Sequence, residues 1–170
     1  QASSGAGWHA SQVFWQGFQS LMTETPMPQV SFHFNAPDKL EYACRFIRKA
    51  MRHDARVTVV APMERLRQLS TRLWKFAGHE FLAHAVQGED SEFFTLAPVV
   101  LVESATASTH QEVLLNLGAE MPQGFEAFGK VVEVVSSFDE QDRAQARVRW
   151  RAYQEAGHAI ERFDLVLKEA

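Results

Sequence analysis

The chain has 170 residues, 46% of them hydrophobic and 22% charged, a globular composition with a length that suits one domain around one core. Its 17 basic residues face 21 acids, a formal net charge of −4, so the whole molecule repels a phosphate backbone and any anion site has to be local. Cys44 is the sole cysteine, which excludes an intramolecular disulfide and fits a reducing cytoplasm; no run of eighteen apolar residues crosses a membrane, and the first positive charge, Lys39, comes too late for a secretory signal.

Residues 1–28 differ in character from the rest of the chain and read as a leader or an N-terminal arm, with residues 29–170 as a single domain. Phe14, Phe18, Leu21 and Met22 follow helical spacing within the arm. "VSFHFN", Val30 to Asn35, alternates apolar and polar residues and predicts a first strand. "APDKLEYACRFIRKAMRHD" then offers Pro37 and Asp38 as helix starters and an apolar face at Ala43, Phe46, Ile47, Ala50 and Met51. "RVTVVAP" is a second strand, and "MERLRQLSTRLWKFAG" a second helix with Leu66, Leu69, Leu73 and Trp74 on one face.

Further strands are expected at "EFLAHAV", "PVVLVES", "EVLLNLG" and "KVVEVVSS", with "QGEDSEFF" as a loop and "MPQGFEAF" as a short helix. "DEQDRAQARVRWRAYQEAGH" closes the chain as the last long helix, stopped by Gly157. Strands alternating with helices imply an α/β fold of three layers, a mainly parallel sheet flanked by helices.

Such folds bind nucleotides at the carboxyl ends of their strands, but the nine glycines form neither G-x-G-x-x-G nor a phosphate-binding loop, and the first turn, "NAPDK", has no glycine. "HEFLAH" places His79 and His84 five residues apart, about 140° around a helix, so the pair makes no zinc site. Cys44 lies among core positions and packs as a small apolar residue. Glu103 and Ser104 follow a buried strand, where α/β enzymes place catalytic groups, yet with "ATAST" behind them they read equally as a turn with helix-cap bonding. No nucleophile elbow or paired-carboxylate motif is present, and neither metal nor cofactor is expected.

The final helix is different in kind. Between residues 143 and 168 six basic residues face Glu155, Glu161 and Asp164, a local net charge of +3 on an acidic protein. At about 100° per residue, Arg143, Arg147, Trp150, Arg151 and Gln154 share one face, leaving Val148, Ala152 and Ala156 on the opposite side for the sheet. A tryptophan among arginines has the composition of a protein-recognition hot spot, and guanidinium groups pair with carboxylates in two-point geometry. An acidic peptide with one bulky hydrophobic residue suits that surface.

"ARVRWRAYQEAG" also resembles the C-terminal helix of the chi subunit of bacterial DNA polymerase III. "FHFN", "ACRFIRKA", "LSTRLWKF" with "EFLAHA", "VLLNLG" and "VVEVV" match the same family in the same order, so the resemblance covers roughly residues 29–163. It implies a non-catalytic, cytoplasmic accessory subunit that joins the clamp-loader psi subunit to the acidic C-terminal tail of single-stranded-DNA-binding protein, without contacting nucleic acid or membrane. Matched by position, Arg143, Arg147, Trp150 and Arg151 form the tail site with Val135 in its apolar floor. Trp74 and Phe81 match the family's other contact surface, used for psi and for a helicase. Departures are Leu69-Ser70 where the family has leucine then aspartate, Ala83 in place of a proline, no glycine in "HDARV", and His158 where an aromatic is usual beside the pocket. The rival reading is a diverged α/β nucleotide-binding protein or enzyme using the strand ends near Asn35 and Glu103.

Overall fold

Four apolar runs form the centre of the sheet because parallel strands covered on both faces have no polar side to show. In the computed structural model, which describes residues 14–15, 27–76 and 82–166, these runs are β2 (Val57–Val60), β4 (Val99–Val102), β5 (Val113–Asn116) and β6 (Lys130–Ser136), every residue of which is buried. With β1 (Gln29–Ala36), β3 (His84–Val86) and β7 (Ile160–Asp164) they make one seven-stranded sheet in the order β3-β4-β2-β5-β6-β1-β7. All six pairings are parallel, so the expected α/β fold of three layers holds.

One face of the sheet carries α1 (Lys39–Arg52) and α2 (Met63–Phe76). Helix α1 starts where Asp38 accepts the Glu41 N–H at 3.1 Å, and it buries Ala43, Phe46, Ile47 and Ala50 as their spacing requires. Helix α2 buries Leu66, Leu69 and Leu73. The other face is covered by α3 (Ser91–Leu96), a 3-10 turn at Phe125–Ala127, and α4 (Glu140–Glu155). Among the described residues, no helix is long and apolar enough to cross a membrane.

Four local expectations are corrected. The stretch 87–94 is not all loop, since Asp90 accepts the Glu92 N–H at 3.0 Å and starts α3. "MPQGFEAF" holds only the 3-10 turn, entered through Gly124 at φ +90°, where a Cβ would sit 2.8 Å from Thr106 Cγ2. The last helix does not close the chain: Gly157 at φ +92° reverses it and β7 follows on the outer edge of β1. An edge strand buries little, and Phe163 is the one residue of β7 that is buried, so its pattern is faint.

Helix α4 is also turned away from its expected orientation. Val148 is 61% exposed and Ala156 is exposed as well, whereas Ala146, Arg149 and Tyr153 are buried. The helix is turned about a quarter of a revolution from the orientation its apolar residues suggest. The cause is a buried ion pair: Arg149 Nε donates to Glu133 Oε1 at 2.8 Å, with both side chains almost fully buried. Tyr153 Oη donates to Glu133 Oε2 at 2.7 Å, Asn116 Nδ2 donates to the same carboxylate, and Arg149 Nη1 reaches the Ala119 carbonyl at 2.8 Å. Burial pushes the Glu133 carboxyl up while Arg149 opposes it.

Two buried histidines make stability depend on pH. Burial holds His33 down at about 3, helped by the charge of Lys130, and holds His110 down at about 4, helped by Arg56. Both take up a proton near pH 6.5 in the unfolded chain but not in the fold, so their contribution is intact above that pH and is lost as the pH falls towards 4. Each histidine weakens the fold by up to about 1.4 kcal/mol per pH unit across this window. Urea unfolding is expected to give a free energy several kcal/mol lower at pH 5 than at pH 7.5, with His110→Gln removing about half of the slope. A flat profile over this range would contradict the neutral burial of both rings.

Candidate functional site, an arginine-rimmed groove

Alternation along β1 points Phe32 and Phe34 to the α4 face of the sheet, and the neighbouring strand β6 adds Val135. Beside them α4 contributes Ala146 and the half-buried Trp150, whose ring lies 4.9 Å from that of Phe32. Together they line an open slot of about 150 Å³, a volume of the order that takes a benzene-sized ring.

The rim is cationic. Arg143, Arg147 and Arg162 line the slot, and among the described residues no acidic residue does. Arg143 is held in place, Nη1 donating to Asn35 Oδ1 at 3.2 Å and to the Ser136 carbonyl at 3.1 Å. Arg162 on β7 stacks its guanidinium 5.0 Å from the Phe34 ring and 5.9 Å from the Trp150 ring. Arg147 is exposed and makes no hydrogen bond or ion pair with any described residue, so its charge is available to a ligand. The slot therefore offers a hydrophobic socket with three guanidinium groups around its mouth, suited to an aromatic group attached to a carboxylate.

A larger cavity, about 240 Å³, lies where the connections of β2 and β5 diverge at their carboxyl ends. Its Lys39 is neutralised by Asp142 at 2.8 Å, and Asp139 stands in the same lining as Arg65, so a phosphate there would meet two carboxylates along with one arginine. The strand-end residues Asn35 and Glu103 are occupied as well. Asn35, in the left-handed region at φ 69°, links Arg143 to Asp164, and Glu103 Oε2 accepts the Met63 N–H at 3.2 Å to cap α2.

A family model described as DNA polymerase III chi subunit, HolC, matches residues 27–161. The chain belongs to the DNA polymerase III chi subunit family. It is 34% identical over 124 residues to DNA polymerase III subunit chi of Pseudomonas aeruginosa, an alignment that covers 72% of this chain and 84% of that relative.

In this chi-family chain the groove brings together four of the residues singled out from sequence, Arg143, Arg147, Trp150 and Val135. Arg151, one turn further, is exposed and does not line it. Sequence reasoning missed Phe32, Phe34, Ala146 and Arg162; the alternation of β1 was a sufficient signal for the two phenylalanines, whereas Arg162 depended on recognising β7. His158 lies outside the groove, its ring 5.3 Å from that of Phe125.

Trp74 is 58% exposed on α2, its ring 4.9 Å from that of His84, whose Nε2 shares a 2.9 Å hydrogen bond with Ser70 Oγ. Phe81 and His79 lie outside the described residues. Helix α2 packs over β3 and β4 at one edge of the sheet, while the groove lies over β1 and β7 at the other edge and on the opposite face. Six interstrand steps separate those edges, roughly 29 Å.

Proposed function

We propose that this chi-family subunit bridges the psi subunit of the clamp loader and the acidic C-terminal tail of single-stranded-DNA-binding protein. The observation that carries the reading is the groove: a ring-sized apolar socket lined by three arginines and, among the described residues, by no carboxylate, Glu140 standing outside it 3.9 Å from Arg143 Nε. A tail ending in acidic residues and a phenylalanine would seat its ring between Phe34, Val135 and Trp150, and its terminal carboxylate would meet Arg147, with Arg143 and Arg162 beside it. The Trp74 surface is assigned to psi or to a helicase, the role that the resemblance gives to Trp74 and Phe81. The separation of the two surfaces supports a bridge, because one partner does not obstruct the other.

Fluorescence anisotropy with a labelled acidic peptide ending in a free phenylalanine carboxylate tests the tail site. Binding is expected to weaken steeply with salt, and Arg147→Ala is expected to lower affinity roughly tenfold, the loss of one charge-assisted pair. Amidation of the peptide terminus is expected to have an effect of the same order. Absence of binding at low salt, or equal affinity for an oligothymidylate of similar length, would sink the reading.

A further inference from the structure

Strands β1 and β7 have a second face, and an aromatic pair from outside the family-matched residues 27–161 lies against it. Phe14 and Trp15 are 3% and 4% exposed, as buried as core residues of the domain. The ring of Phe14 lies 5.3 Å from that of His33 on β1, 5.6 Å from that of Phe46 on α1 and 6.2 Å from that of Phe163 on β7. Trp15 stacks on His53 at 5.1 Å with 10° between the planes. Lys130 Nζ lies 4.1 Å from the centroid of the Phe14 ring and donates to the Phe14 carbonyl at 3.1 Å. The seat thus engages both the ring and the backbone of Phe14, which a nonspecific greasy contact would not do.

Its position gives it a consequence for the groove. Phe163 faces Phe14, while its neighbour Arg162 faces the slot on the other side of the sheet, because successive residues of a strand point oppositely. Among the described residues β7 is bonded within the sheet to β1 alone, so packing on the Phe163 side is a main restraint on where Arg162 stands. We propose that Phe14 and Trp15 form a plug, supplied by the chain's own N-terminal segment, that locks edge strand β7 and thereby holds Arg162 at the mouth of the groove. The part concerning the groove rests on the tail-binding reading; the part concerning β7 does not.

The test compares the 170-residue chain with its Phe14→Ala/Trp15→Ala variant in three measurements. The melting temperature is expected to fall by roughly 10 °C or more, since two large buried aromatics are removed. Amide exchange across residues 160–164 is expected to accelerate more than exchange within α2, and affinity for the acidic peptide to drop roughly threefold or more. If the double variant does not fold, Lys130→Met, which keeps the buried stem and removes the donor, is expected to loosen the same amides to a smaller extent. A melting temperature within 2 °C of the parent, or exchange in β7 that follows the rest of the domain, overturns the plug. A wild-type chain that runs as a dimer and becomes monomeric in the variant overturns its supply in cis. Failure of the peptide to bind even the parent removes the tail reading but leaves the melting and exchange results to decide on β7.

Discussion

Arg149→Met is expected to cost about 3–5 kcal/mol of folding stability, the loss seen when one partner of a buried ion pair is removed and the other charge is stranded. Arg149 is 2% exposed and Glu133 fully buried, so water cannot take the place of the guanidinium. Tyr153 and Asn116 would still donate to the carboxylate, but neither brings a positive charge. The sign of the pH effect identifies the cause. Burial already raises the Glu133 carboxyl, and losing Arg149 raises it further, so the variant gains by protonating Glu133 as the pH falls. The deficit relative to wild type is therefore expected to be larger at pH 8 than at pH 5.5 in paired urea titrations. A loss below about 1 kcal/mol, or one independent of pH, would show that the pair does not set the position of α4.

The same pair explains what was and was not legible in the sequence. Apolar periodicity located α1 and α2 and the aliphatic residues that they bury by the usual rule, while Trp74, grouped with Leu66, Leu69 and Leu73 on the apolar face of α2, is exposed. In α4 the rule inverts: Arg149 goes inside and Val148 outside, since a charge on β6 supplies the partner. A lone glutamate within "VVEVV" was the available hint, as an acid at a central position of a doubly covered strand has to be paired. Arg143, Arg147 and Trp150 nevertheless line one groove, because their spacing puts them on one side of the helix whichever side is buried. Arg162 was hidden for a different reason, lying on an edge strand too polar to register as one. An N-terminal arm was one of two readings of the segment holding Phe14 and Trp15, but the seat of the pair was not legible, for nothing in a local pattern says which distant rings an aromatic pair will meet.

Trp150→Ala is expected to weaken the acidic peptide by at least about 2 kcal/mol, some thirtyfold, more than Arg147→Ala does. Trp150 is half-buried, packed on Phe32 and next to Arg162, so it forms a wall of the socket and the ring of the ligand loses that wall on truncation. Arg147 is exposed and makes no ion pair with a described residue, so its removal takes away charge without disturbing the socket and leaves stability within about 0.5 kcal/mol. The two losses should therefore differ in kind. The Trp150 variant is expected to keep the salt dependence of whatever binding remains, whereas the Arg147 variant is expected to lose much of it. Because the two side chains meet one ligand at its ring and at its carboxylate, the double variant should fall short of the sum of the single losses. Affinity of Trp150→Ala within threefold of wild type would mean that the aromatic slot is not what the ligand occupies, and the arginines would then have to be read as an electrostatic surface alone.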